Sequence, residues 1–115
     1  MDNKIVTIDG ILDWFQDAVE RKMPVSSALY LDGCQKIVAL LGNFDDSLIE
    51  AELAYRRLRS GFIEDGKSAA EAETRARASD AYRDYLKLKA KRDRIDQFIL
   101  LSKKRVGLES WEKDL

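Results

Sequence analysis

The sequence predicts an all-α protein, a small helical bundle built around a long antiparallel, coiled-coil-like helical hairpin. Three observations carry that reading. Only Pro24 and six glycines interrupt 115 residues, and apolar residues recur at helical spacing almost throughout. Charged residues reach 36%, above the usual quarter or so, as extended helices with much solvated surface require. The single stretch that alternates like a strand is Lys4 to Ile8. At this length one domain is expected over residues 1–115, divided into two N-terminal helices (1–44), the hairpin (45–107) and a tail (108–115).

The first helix is expected from Ile8 to about Lys22, with Thr7 as N-cap and Ile8, Ile11, Leu12, Phe15 and Val19 on one face, widened by Trp14 and Ala18. Met23-Pro24 ends it, because proline lacks a donor and disfavours helix in the residue before it. Ser26 or Ser27 caps a second helix through Leu41, closed by Gly42-Asn43, both of which tolerate a left-handed helix terminus. Its residues Leu29, Tyr30, Cys34, Ile37, Val38, Leu40 and Leu41 leave little of it polar, so it is predicted to be the most buried element. Gly33 within it costs about 1 kcal/mol relative to alanine and marks a close helix crossing. The lone cysteine, Cys34, forms no internal disulfide and reads as a buried thiol.

A third helix opens at the capping box Ser47-Leu48-Ile49-Glu50. Leu48, Ala51, Tyr55, Leu58 and Phe62 then step by three and four, the seam of a helix that packs along another helix. Gly61 is a place for it to fray. Glu64 to Lys67 supplies the turn, and Ser68-Ala69-Ala70-Glu71 is a second capping box. From Ser68 to Arg105 neither proline nor glycine intervenes, and Ser79-Asp80 offers an internal N-cap at which this long helix either continues or bends. Tyr85, Leu88, Arg92, Ile95, Ile99, Ser102 and Val106 continue the three-four spacing, with Ala81, Tyr82 and Phe98 beside them. Gly107 is expected to end the helix, leaving a tail whose apolar anchor is Trp111.

An unbroken helix over 68–105 spans about 57 Å against about 22 Å for Leu48 to Phe62, at roughly 1.5 Å per residue. The surplus apolar stripe needs a cover, either the first two helices or a second copy of the chain. Tyr85, Leu88, Arg92, Ile95, Phe98 and Ile99 are therefore the candidate partner interface, with Arg92 as a polar seam residue able to set register with a specific partner helix.

Chemistry is constrained by what is absent. Without any histidine, the commonest general base, the usual zinc ligand and every nucleophile-histidine pair are excluded. A single cysteine disfavours zinc, and no phosphate-cradling glycine motif occurs. The acidic pairs Asp45-Asp46, Glu50 with Glu52, and Glu71 with Glu73 read as helix N-terminal charges and caps rather than a site for a hard cation. No catalytic residue, cofactor or metal ligand is nominated, and the expected activity is non-enzymatic.

Net charge is −1 but unevenly spread: residues 1–66 hold 12 acidic and 7 basic groups, residues 75–105 hold 4 and 11. Arg83, Lys87, Lys91 and Arg94 step by four, four and three along one helix face, extended by Lys103, Lys104 and Arg105. Lys89 can pair with Asp93, Arg92 with Asp96, and Asp84 with Lys87, whereas Lys91 and Arg94 have no acidic neighbour one turn away. This face is read as solvated, as paired with the acidic N-terminal half, as a phosphate track for DNA or RNA, or as a seat for a small anion. An N-terminus without a basic region and apolar core, and apolar runs far shorter than a bilayer span, predict a cytoplasmic protein with no membrane partner.

The stretch Gly66-Lys67-Ser68-Ala69-Ala70-Glu71-Ala72-Glu73, then Ala78 to Tyr85, then Ile95-Asp96-Gln97-Phe98-Ile99, resembles small helical-hairpin proteins of tailed bacteriophages. That resemblance covers about a third of the chain and brings no active site. It implies a host bacterial cytoplasm and an accessory role, acting on a host or phage protein or in phage DNA metabolism. The function expected is a protein-protein interaction or oligomeric accessory protein, with non-specific nucleic-acid binding as the alternative.

Overall fold

The computed structural model describes residues 7–113, with side-chain environments through Gly107. Four helices follow in order: α1 (Ile8–Glu20), α2 (Ser27–Glu64), α3 (Ala69–Arg77) and α4 (Asp80–Lys113). No strand occurs among the described residues, and positions 4–6 of the segment that alternated like a strand lie outside them. The chain divides into two compact units, Met1–Gly42 with Arg94–Leu115, and Asn43–Asp93.

Helix ends follow local chemistry closely. The Thr7 hydroxyl accepts from the Gly10 N–H at 3.0 Å and starts α1. Its end is a Schellman motif: Lys22 donates to Val19 and Met23 to Ala18 through the backbone, with Lys22 in the left-handed region at φ 54. Ser26, rather than Ser27, caps α2 by accepting from the Leu29 N–H at 3.2 Å. The same Schellman pairing recurs at the far end of α2, where Gly66 donates to Ile63 and Lys67 to Phe62, and here glycine takes the positive φ. Ser68 caps α3, accepting from Glu71 N–H at 3.2 Å. Ser79 caps α4, accepting from Tyr82 N–H at 3.2 Å. The long helix therefore breaks at Ala78-Ser79, the second of the two courses open at that point.

Two expected boundaries fail. Gly42-Asn43 does not close a helix and Ser47 does not open one, because α2 runs through all of them; the Ser47 hydroxyl instead donates to the Asn43 carbonyl at 3.1 Å, one turn back in the same helix. The physical reason is phase. Tyr30, Cys34, Ile37, Leu41, Phe44, Leu48, Ala51, Tyr55, Leu58 and Phe62 alternate steps of four and three without a slip, so one continuous helix keeps every one of them on one side. That side outweighs the roughly 1 kcal/mol that Gly42 costs in a helix interior. For the same reason α2 passes Gly61 without fraying. α4 likewise passes Gly107 and extends to Lys113, so most of the expected tail is helical; the Trp111 side chain and residues 114–115 lie outside the described residues.

In the first unit, α1 buries Ile8, Ile11, Leu12, Phe15 and Ala18. Phe15 lies 5.0 Å from the Tyr30 ring of α2 and 4.8 Å from the Phe98 ring of α4. Gly33 makes room for this: a Cβ there would sit 2.7 Å from Phe15 Cε2 and 3.3 Å from Phe98 Cζ. Ile37, Ile95 and Ser102 complete the interior, and the Ser102 hydroxyl is satisfied by the Phe98 carbonyl at 2.8 Å.

In the second unit, Phe44, Ala72 and Ala76 are buried. The two alanines present a surface without bulk, and the Tyr55 ring of α2 packs on Tyr82 and Tyr85 of α4 at 4.8 and 6.1 Å.

Alanine at the two interior glycines of α2 is expected to act with opposite sign. Gly42→Ala meets no atom within 4 Å and should stabilise the fold by about 1 kcal/mol. Gly33→Ala gains the same helix propensity but must displace Phe15, and overpacking of about 1–3 kcal/mol should make it net destabilising. Urea unfolding of both variants checks this; equal midpoints would contradict the packing assigned to Gly33.

A candidate protein-docking groove on the first unit

The candidate partner interface read from sequence does not survive as a set. Ile95 is 0% exposed and Phe98 is buried, covered within the chain by α1 and the first part of α2. Of the two covers open to the stripe, the chain supplies its own. The reason is the length of α2: its mate was read as Leu48 to Phe62, whereas the helix begins at Ser27. Arg92, read as a register-setting residue for another chain, reaches Asp45 on α2 at 3.2 Å. Tyr85, Leu88 and Ile99 are half-buried.

What the chain leaves uncovered keeps Ile99 of that set and adds residues of α2. The first part of α2 was expected to be the most buried element, yet Leu29, Leu31 and Val38 are exposed, Leu31 at 47% and Val38 at 58%. At about 100° per residue, Leu31 and Val38 stand on the side of α2 roughly opposite Gly33, where α1 packs. With Cys34 of α2 and Ile99, Ser102, Lys103, Val106 and Gly107 of α4 they line a groove of about 460 Å³. Its walls are aliphatic, Lys103 is its one charged residue, and no carboxylate lines it. Cys34, expected to be a buried thiol, is half-buried at this wall. The signal for the groove is the seven-residue interval between Leu31 and Val38, one position beyond Tyr30 and Ile37 of the seam; Val38 alone of the two was counted among the apolar residues of the helix.

A second cleft of about 380 Å³ lies between Val19, Lys22, Met23, Pro24, Val25, Tyr30 and Arg105. It follows from the turn between α1 and α2, and the Arg105 guanidinium stands 6.0 Å from the Tyr30 ring centroid.

All seven basic residues of the candidate face lie on α4. Arg83, Lys87 and Lys91 belong to the second unit, and Arg94, Lys103, Lys104 and Arg105 to the first. Arg94 donates to Asp13 at 3.1 Å and Gln16 at 2.7 Å on α1, the internal pairing that the acidic N-terminal half allowed. Lys91 sits 5.4 Å from the Phe44 ring centroid. Arg83, Lys87, Lys103 and Lys104 are exposed, as is Arg105 over its tyrosine.

The one strongly coupled polar cluster is in the second unit. Glu73 of α3 accepts from the Tyr55 hydroxyl at 2.5 Å and from Arg77 Nε at 2.7 Å, and Arg59 Nε approaches its other oxygen at 2.8 Å without an aligned N–H. The Tyr55 hydrogen bond, then that of Arg77, hold the Glu73 carboxyl below the ordinary glutamate range. Glu73 in turn raises the Tyr55 phenol above its usual value. Two hydrogen-bond donors and the Arg59 charge converge on one carboxylate, so the cluster fastens α3 to α2. Of the other acidic residues read as pairs, Glu52 meets Arg56, Glu71 meets Arg75 and Asp45 meets Arg92. Among the described residues no three acidic or cysteine side chains gather as a metal site, and no helix is long and apolar enough to cross a membrane.

No family model, curated protein or solved structure matches the chain.

The Glu73 cluster sets a pH dependence. A carboxyl lowered on folding contributes stability above its unfolded pKa, and that contribution is lost as pH falls through the folded value. Thermal melts from about pH 7 down to about pH 3 should therefore show a steeper loss for the native chain than for Glu73→Gln, whose melting point should start lower and vary less. At the alkaline end the sign reverses, since the raised Tyr55 phenol contributes below about pH 10 and loses its contribution as it ionises.

Proposed function

We propose that this protein is a non-enzymatic interaction protein that engages another polypeptide through the aliphatic groove between α2 and α4 of its first unit. The observation that carries the reading is the cost left on that face: Leu31 and Val38, in the middle of the helix richest in large apolar residues, are about half exposed beside a groove with one charge. Apolar surface of that kind, gathered rather than scattered, is what protein-docking faces use. The resemblance to phage hairpin proteins accords with an accessory role of this type, with a host or phage protein, or another copy of the chain, as partner. Nucleic-acid binding draws less support, because Arg94 is committed to Asp13 and Gln16 and Lys91 lies over the Phe44 ring; a phosphate track needs its cations turned to the backbone it follows.

A photoreactive benzoylphenylalanine in place of Val38 in the full chain should give covalent adducts heavier than the 13.2 kDa chain on irradiation in bacterial cells. The same residue in place of the exposed Arg57 should give far fewer. Val38→Asp is expected to leave helicity unchanged and to weaken association about tenfold or more, as charging the centre of an apolar interface does. Absence of any adduct from position 38 would sink the reading.

A further inference from the structure

The cleft at the turn between α1 and α2 collects groups that serve no role in the groove. Lys22 of the turn and Arg105 of α4 line it, with Val19, Met23, Pro24 and Val25 as an apolar wall. No carboxylate is among the lining residues, and the sequence places none three or four positions from Lys22. Arg105 has one such neighbour, Glu109, whose side chain lies outside the described residues; a guanidinium carries more donors than one carboxylate takes up. Tyr30 also lines the cleft and is only 3% exposed, yet its hydroxyl makes no hydrogen bond among the described residues. The backbone marks Lys22 independently. α1 and α2 end in the same Schellman pairing, and where α2 has Gly66, α1 has Lys22 at φ 54. L side chains rarely take that conformation, so a lysine stands where glycine suits the turn better.

We propose that this cleft binds a small carboxylate carrying an apolar chain. The site is separate from the groove between α2 and α4 and does not depend on its docking role. The carboxylate takes the Lys22 ammonium and the Arg105 guanidinium as donors, with the Tyr30 hydroxyl as a third, and the chain covers Val19, Met23 and Pro24. Two cations at one cleft repel each other, and an anion between them relieves the repulsion. Hydrogen bonds from a guanidinium to a carboxylate are short and charge-assisted. A volume of about 380 Å³ falls at the lower end of the range for small-molecule sites, and an apolar lining with a few polar groups is their usual composition. Of the readings of the basic face, the seat for a small anion thus keeps Arg105 and gains Lys22 from the turn.

Titration of the isotope-labelled full chain with octanoate, read from amide chemical shifts, tests the site. Saturable shifts should gather at residues 19–30 and Arg105, with a dissociation constant of about 1 mM or tighter. Octanol, which lacks the charge, and inorganic phosphate, which lacks the chain, should each bind about fivefold more weakly or worse. Lys22→Gly should weaken octanoate about fivefold, the worth of one exposed ion pair. The same variant should melt roughly 4 °C higher, because glycine takes the positive φ freely. Opposite effects of one substitution on affinity and stability separate a ligand role for Lys22 from a structural one. Arg105→Gln should weaken octanoate by a similar factor, with helicity unchanged by circular dichroism. The proposal is overturned by shifts that do not saturate by about 10 mM, by octanol or phosphate binding as tightly as octanoate, or by unchanged affinity in both variants. Shifts that fall on Leu31, Val38 and Ile99 of the groove instead overturn it too. None of these outcomes bears on the adducts expected from position 38.

Discussion

Phe15 rests in the space that Gly33 leaves, touching Tyr30 on one side and Phe98 on the other. Every other feature of the first unit depends on that contact. It fixes α1 against one flank of α2 and α4, and it commits Ile95 and Phe98 to an interior. Once α1 occupies that flank, thirteen residues of helix are spent, and the opposite flank, with Leu31 and Val38, has no element of the first unit's α1 to cover it. A glycine in the middle of a helix is ordinarily a weakness; here it decides which side of α2 is core and which is surface.

The unbroken course of α2 is the second constraint. Its seam keeps phase from Tyr30 to Phe62, and the two local stop signals at Gly42-Asn43 and Ser47 are overridden by it. Tertiary burial of a continuous apolar side outweighs caps and propensities of about 1 kcal/mol each. With α2 extended, both parts of α4 find cover inside the chain, Tyr85 against Tyr55 in the second unit and Phe98 against Tyr30 in the first. The stripe is thus covered at Ile95 and Phe98, while Ile99 and Val106 open on the groove beside Leu31 and Val38.

Three ion pairs of this molecule fasten one helix to another. Asp13 and Gln16 hold Arg94, Asp45 holds Arg92, and Glu73 gathers Tyr55, Arg59 and Arg77. Each joins residues far apart in sequence, which is why an inventory of neighbours one turn away overestimated the uncompensated positive face. Exposed pairs such as Glu71 with Arg75 add little to stability, whereas the Glu73 cluster, partly sheltered and hydrogen-bonded by Tyr55 and Arg77, marks where α3 docks on α2.

Composition and period alone determined the helical class, the caps at Thr7 and Ser68, the turn before Ser68 and the absence of histidine-based chemistry, because each depends on residues within one or two helical turns or on mere presence; they left Ser26 against Ser27 and the course at Ser79 open. Tertiary structure decided which signals were silenced and which apolar residues faced inward. Gly42-Asn43 and Ser47 carry the same local chemistry as the caps that act, and Leu31 looks no less apolar than Tyr30. Only the identity of the element packed against each side separates them, and that is a property of the assembled chain, fixed by where α1 lands.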